Sequence, residues 1–119
     1  MNHIPDVTNV LTGHGPGFVL LNGQRIEHSM VVSPEYILRE WAPDFSSLKE
    51  NHFEQLLILK PELVLLGTGA VFRFPHPALT SCLINAGIGL EAMDTQAACR
   101  TYSVLASEGR RVVAALLIP

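Results

Sequence analysis

The sequence predicts one α/β domain: a mixed central sheet, helices packed on it, and a small extra β-hairpin layer. Three observations predict it. The second half alternates short apolar runs with helical patterns as β-α-β-α-β, the order that builds parallel strands through crossover helices. The first half is a meander of short extended runs separated by glycine and proline. Between two of those runs, Phe18–Leu21 and Gln24–His28, stands Asn22-Gly23. That pair is the strongest short-range hairpin signal, because both residues accept positive φ. The length of 119 residues suits a single domain, one that buries about 65% of its unfolded surface.

In chain order, residues 1–16 read as a turn-rich N-terminal segment and 17–119 as the domain. Gly13-His14-Gly15-Pro16-Gly17 precedes a strand and reads as a turn. Met30-Val31-Val32 suggests a short strand. From Pro34 to Pro43 the residues leave helix and extended chain both open, since Ser33-Pro34-Glu35 resembles a helix start and Pro43 closes it. Ser47-Leu48-Lys49-Glu50 has capping-box form with Ser47 as N-cap. Leu48, Phe53, Leu56, Leu57 and Lys60 then follow helical spacing until Pro61. Glu62–Leu66 reads as a buried strand stopped by Gly67.

A further helix is expected from Pro77, which suits a first turn, to about Ala86, with Gly87 as its left-handed stop. Ile88–Met93 is the next strand. Asp94 can cap the helix after it by accepting from free first-turn N–H groups. On that helix Ala97, Ala98, Thr101, Val104 and Leu105 are expected to pack on the sheet, leaving Gln96, Arg100, Ser103 and Ser107 outward. Arg111–Ile118 is the last strand, and its apolar run Val112–Ile118 implies burial on both faces.

Composition limits function. The formal charge is −3, and of eight Lys and Arg residues only Arg110 and Arg111 adjoin. No basic stripe exists to neutralise phosphates, which excludes nucleic acid as the expected partner and argues against an electrostatic membrane anchor. No apolar run approaches the roughly 20 residues that span a bilayer. With 48% hydrophobic and 16% charged residues, either the core is buried efficiently or apolar surface is left for a partner. Cys82 and Cys99 form no CxxC pair and read as reduced thiols, and Met1–Asn9 lacks the pattern of a signal or transit segment. The expected location is therefore cytoplasmic.

Catalytic signals are sparse. Gly67-Thr68-Gly69 ends a buried strand, where open α/β sheets place ligand crevices, and reads as a tight turn or as crevice lining. No helix follows the loop directly to cradle phosphate. Asp94 and Thr95 would share that edge, Asp94 as cap or, alternatively, as acid/base. Cys99 is either a packed small side chain or the nucleophile of a dyad with His76, if the fold joins them. Arg100 is a solvated or ion-paired arginine, or a partner contact. Glu91 and Asp94 are the acidic pair closest to the crevice. His3, His14, His28, His52 and His76 are scattered, none at i,i+4 from another His or Cys, so no metal site is expected. G-x-S-x-G, HExxH and the dinucleotide fingerprint do not occur, and no cofactor is expected.

Leu63-Val64-Leu65-Leu66-Gly67-Thr68-Gly69, the run from Gly87 through Glu91-Ala92-Met93-Asp94-Thr95-Gln96-Ala97-Ala98-Cys99-Arg100-Thr101-Tyr102, and Leu105, Glu108-Gly109-Arg110-Arg111-Val112 carry a resemblance. Together they resemble the family that contains the mitochondrial respiratory complex I assembly factor three and its small bacterial and archaeal relatives of unknown function. The resemblance covers about Gly17 to Pro119. It implies a three-layer α/β domain and extended chain over 34–43. It implies no established catalytic activity and no established cofactor. For the mitochondrial member it implies a role in assembly through protein partners, and for this chain a protein partner with peripheral association to a membrane complex through it. Two departures are the missing transit peptide and Ser103, where relatives often carry Asn. Two functions follow as expectations: a partner-binding module using apolar surface with Gln96, Arg100 and Ser103, or a small-molecule binder or enzyme using Gly67, Thr68, Gly69, Asp94, Thr95 and Cys99.

Overall fold

The computed structural model describes residues 8–119. Strands β1 (Leu11–Gly15), β2 (Phe18–Leu21) and β3 (Gln24–Ile26) form a small antiparallel sheet in that order. The hairpin between β2 and β3 is the expected two-residue turn: Leu21 pairs with Gln24, and Asn22 and Gly23 take φ of 53° and 84°. A type I′ turn needs positive φ at both positions, which its twist then matches to the strands. The Gly13–Gly17 run is a correction. Gly13 to Gly15 lie within β1 and pair with Leu20, Val19 and Phe18, so only Pro16-Gly17 turns. Strand β1 thus lies inside the segment expected to be turn-rich. The part of that segment over residues 1–7, with most of the Met1–Asn9 stretch, lies outside the described residues.

The main sheet is mixed. Strands β4 (Met30–Val32), β5 (Ile37–Leu38), β6 (Leu63–Gly67), β7 (Gly89–Met93) and β8 (Val112–Leu116) stand in the order β5-β4-β8-β6-β7. Strand β6 runs parallel to both β7 and β8, while β4 is antiparallel to β8 and β5. The second half has the expected β-α-β-α-β order, with α2 (Pro77–Asn85) and α3 (Thr95–Ser107) as its helices. Residues 34–43 are extended or irregular, with only the two-residue β5 as regular structure.

Burial follows the strand period of two. Leu65, Ala114 and Leu116 enter one core with Met30, Val32, Cys99 and Tyr102. Val64, Leu66, Val113, Ala115 and Leu117 enter the other with Trp41, Phe53, Leu56 and Leu83. Every residue of β8 is buried, as a central strand covered on both faces requires. One outer layer is α1 (Glu50–Glu54) with α2. The other is α3 together with the small sheet, whose Val19, Leu21 and Ile26 share the Tyr102 core. This is the three-layer arrangement.

Two local expectations are corrected. Ser47 is not the N-cap of α1. Asp44 captures it first: its Oδ1 accepts from the Ser47 N–H at 3.0 Å and from the Ser46 and Ser47 hydroxyls at 3.0 and 2.8 Å. These bonds close a 3-10 turn over Phe45–Ser47 and hold the Asp44 carboxyl below its ordinary pKa. The helix instead starts at Glu50, where His52 Nδ1 accepts the Lys49 N–H at 2.9 Å.

The second correction is the rotation of α3. Thr95, Ala98, Cys99 and Tyr102 are its buried residues, and Val104 is 56% exposed. The small sheet covers the Cys99–Tyr102 flank. The helix is therefore turned from the orientation that alanine, valine and leucine alone suggest.

Candidate functional site

Five of the six expected crevice residues, Gly67, Thr68, Gly69, Asp94 and Thr95, gather where β6 meets α3, and Gly69, Asp94 and Thr95 line a crevice there. Gly67 ends β6 where a side-chain Cβ would stand only 3.0 Å from Thr95 Cα, so any larger residue would press on backbone and push α3 back. Gly69, at φ +99°, turns the chain back. Thr95 joins the pieces: its hydroxyl donates to Leu117 O at 2.7 Å and accepts the Gly69 N–H at 2.8 Å, while its own N–H donates to Gly69 O at 2.9 Å. The Thr68 hydroxyl donates to Val71 O at 2.7 Å and accepts the Arg73 N–H at 3.1 Å, shaping the loop after β6.

Asp94 caps α3 through a 2.9 Å bond from Ala97 N–H to its Oδ1. The N-cap geometry follows from extended backbone at Asp94 ahead of a helical turn with free donors. Asp94→Ala should lower the unfolding free energy by about 1 kcal/mol. A urea denaturation midpoint unchanged or raised in this variant would show that the carboxylate contributes nothing as a cap.

Beside these residues lies a crevice of about 330 Å³, walled by Gly69, Asp94, Thr95, Gln96, Leu117 and the β1–β2 turn at Gly15–Phe18. That turn was missed in the sequence, because nothing local says that the hairpin leans over the end of β6. His14 on β1 secures it, with its Nδ1 2.9 Å from Gln96 Oε1. A second cavity of about 330 Å³ lies at the opposite end of the sheet, between Tyr36, Pro61, Arg110 and Arg111. There Glu62 accepts the Arg111 N–H at 3.0 Å and stands 3.6 Å from Arg110, interactions that lower its carboxyl pKa.

Cys99 does not line the crevice. It is 1% exposed in the core beneath the small sheet, and burial pushes its thiol up to about 12, so it stays protonated near neutral pH. His76 stands at the start of α2, where its Nδ1 accepts the Ala78 N–H at 3.0 Å. Because α2 and α3 cover opposite faces of the sheet, the two side chains form no dyad. The Thr68 and Thr95 hydroxyls already serve backbone groups, and one Asp94 oxygen is engaged. The crevice offers shape and backbone polarity rather than an activated nucleophile. Among the described residues, no group of three or more His, Cys, Asp and Glu is gathered as metal ligands would be.

The residues expected to face a partner divide. Arg100 is exposed. Gln96 and Ser103 instead turn toward β1, Gln96 through His14 and Ser103 through a 3.3 Å bond to Leu11 O. An apolar exposed loop lies elsewhere, between β6 and α2: Val71, Phe72 and Phe74 are 61%, 47% and 78% exposed. In the sequence, Val71-Phe72-Arg73-Phe74 is visible as an aromatic pair between two proline- and glycine-marked elements.

Fold and site define a three-layer α/β domain with a crevice at one end of the main sheet and an apolar loop beside it. Residues 11–117 match the family described as a protein of unknown function (DUF498/DUF598), and the chain belongs to that family. It is 30% identical over 98 residues to the 13 kDa major membrane protein of Francisella tularensis, covering 81% of this chain and 80% of that one. It is 28% identical over 120 residues to the NADH dehydrogenase [ubiquinone] 1 alpha subcomplex assembly factor 3 of Rattus norvegicus. That alignment takes in 99% of this chain and 64% of the rat protein, so the chain spans somewhat less than two thirds of this relative. A crystal structure from Bordetella parapertussis superposes with TM-score 0.91 at 36% identity, over 98% of this chain and 100% of that one. The family thus includes complex I assembly factors and proteins of unknown function, and the resemblance read in the sequence stands.

Proposed function

We propose that the protein is a non-catalytic interaction module, cytoplasmic, that helps a larger complex assemble by holding a protein partner. The observation that carries this is the loop after β6. Three large apolar side chains lie exposed within four residues, and the Phe72 and Phe74 rings pack edge-on with centroids 4.7 Å apart. Arg73 between them lies 5.5 Å from the Phe45 ring. Exposed aromatics beside arginine are the side chains that most often anchor interfaces, whereas solvated loops favour small polar residues. The assembly-factor name of several relatives supports the same reading. The name of the Francisella relative is compatible with a partner at a membrane. No helix among the described residues is long and apolar enough to cross one. In this reading any association there passes through the partner.

The test is quantitative co-purification from the native host with tagged wild type and a Phe72→Ser/Phe74→Ser double variant. Both side chains are substantially exposed, so the variant should keep its fold, surface changes usually costing under about 0.5 kcal/mol. Recovery of specific partners should fall by about tenfold, as loss of anchor residues does. Full recovery would sink the role of the loop. The crevice of about 330 Å³ beside Gly69 and Asp94 favours a second reading, a small-molecule site. A metabolite that raises the melting temperature by several degrees would favour that reading.

A further inference from the structure

Strand β7 ends the main sheet, and among the described residues no strand pairs with its outer edge. Gly89 donates its N–H to Glu62 O at 3.1 Å, and Met93 O accepts from Thr68 N at 2.8 Å. Alternate residues of a parallel strand bond the same neighbour, so Gly89, Glu91 and Met93 address β6. The N–H and C=O groups of Leu90 and Ala92 therefore point away from the sheet. Among the described residues no turn, loop or cap supplies them with a backbone partner.

Edge strands are usually protected by short length, charged side chains (lysine above all), proline, a bulge or a covering element, and of these β7 has its short length and the charge of Glu91. Strand β7, Gly-Leu-Glu-Ala-Met, has no lysine or proline, and its five residues pair with β6 in unbroken register. Apolar side chains flank this edge on both faces. On α3 the Thr101 hydroxyl lies 3.5 Å from Met93 Sδ, which places that flank of the helix over β7; Val104, three residues on, shares the flank and is 56% exposed. On α2, Cys82 faces α1, where the nearby Glu50 and Glu54 help burial raise its thiol pKa. Ile84 lies about 200° further round the helix, on the flank away from α1, and is 64% exposed.

We propose that β7 accepts an extended segment of a protein partner as a sixth strand, held by the outward N–H and C=O groups of Leu90 and Ala92. Ile84 and Val104 cover its alternate side chains. Glu91 is the one charge on the strand, so the complementary segment carries a lysine or arginine beside it. The same charge argues against a second copy of this chain as the occupant. Two-fold antiparallel pairing about the middle of β7 would set Glu91 opposite Glu91, and directly opposed like charges destabilise a strand pair. Strand addition of this kind draws affinity from main-chain bonds and selectivity from alternate side chains.

The test uses the full ¹⁵N-labelled chain and two synthetic blocked peptides of alternating valine and threonine, one with a central lysine and one with a central glutamate. The lysine peptide should shift the Leu90 and Ala92 amide resonances and slow their hydrogen exchange. The glutamate peptide should bind about threefold to tenfold more weakly, the effect of like charge across a strand pair. Ala92→Pro removes an outward N–H without breaking a bond to β6, so it should fold and lose peptide binding. Glu91→Lys provides a check independent of proline tolerance, because it should reverse the preference between the peptides.

Absence of edge shifts with the lysine peptide, or an unchanged preference in Glu91→Lys, overturns the proposal. So does a concentration-dependent shift of the same amides without peptide, which would make a second copy the occupant. The proposal rests on the partner-binding reading but fails separately from it. A silent edge with intact co-purification through the Phe72–Phe74 loop sinks strand addition alone, whereas unaltered recovery from the loop variant bears only on the loop.

Discussion

Tyr102→Ala should destabilise the protein by about 3–5 kcal/mol, the range for deleting a buried aromatic ring. Tyr102 is 1% exposed and fills the core shared by α3, the main sheet and the small sheet. Its hydroxyl donates to Asn9 O at 2.9 Å, a contact across 93 positions of sequence. Asn9 in turn donates its side-chain N–H to Ser33 O at 2.9 Å and accepts from Asn22 Nδ2 at 3.2 Å. The ring thus fastens the segment that leads into β1. Against a typical total stability of about 5–15 kcal/mol, its loss would leave the domain marginal. Urea denaturation followed by circular dichroism measures the cost. Tyr102→Phe separates the contributions, since it removes only the hydroxyl and should cost about 1 kcal/mol. A cost below that for Tyr102→Ala would mean that the small-sheet layer is not coupled to the rest of the fold.

Thr95→Val is the second large effect, expected at about 2–4 kcal/mol. Valine keeps the branched shape but removes the hydroxyl that serves Gly69 N–H and Leu117 O. Gly69 is buried and Leu117 is 0% exposed, so water cannot readily replace either bond. Each buried polar group left without a partner costs about 1–3 kcal/mol. Thr95→Ser keeps the hydroxyl and should recover most of the loss. If valine and serine cost the same, the missing methyl or helix propensity governs, and the hydroxyl does not hold the crevice edge. The comparison also bears on the small-molecule reading, because the floor of the crevice depends on this bond set.

The order of elements in the second half needed only local information. Pro77, Gly87, Asp94 and Gly109 are punctuation whose backbone preferences act within a turn, and the apolar run at Val112–Ile118 announces a strand buried on both sides. Asn22-Gly23 specified its hairpin for the same reason. The Asp94 cap was legible because the groups that make it lie three residues apart. The start of α1 was not. Asp44 and Ser47 offer two caps within one short stretch, and local pattern does not rank them: Asp44 draws the Ser47 N–H and hydroxyl into its own turn, which leaves α1 to start at Glu50.

The sequence by itself determined the α/β class, the strand and helix succession of the C-terminal half, and the grouping of Gly67, Thr68, Gly69, Asp94 and Thr95 at one end of the sheet. Only the tertiary structure decided the rotation of α3, the burial of Cys99 away from His76, the engagement of Gln96 and Ser103 by β1, and the open edge of β7. The physical reason is the range of the interactions. Caps and turns are satisfied by groups a few residues away, so local pattern reveals them. The face that a helix buries is set by every layer that packs on it, and β1 reaches Gln96 and Ser103 from 82 and 92 positions away in the chain.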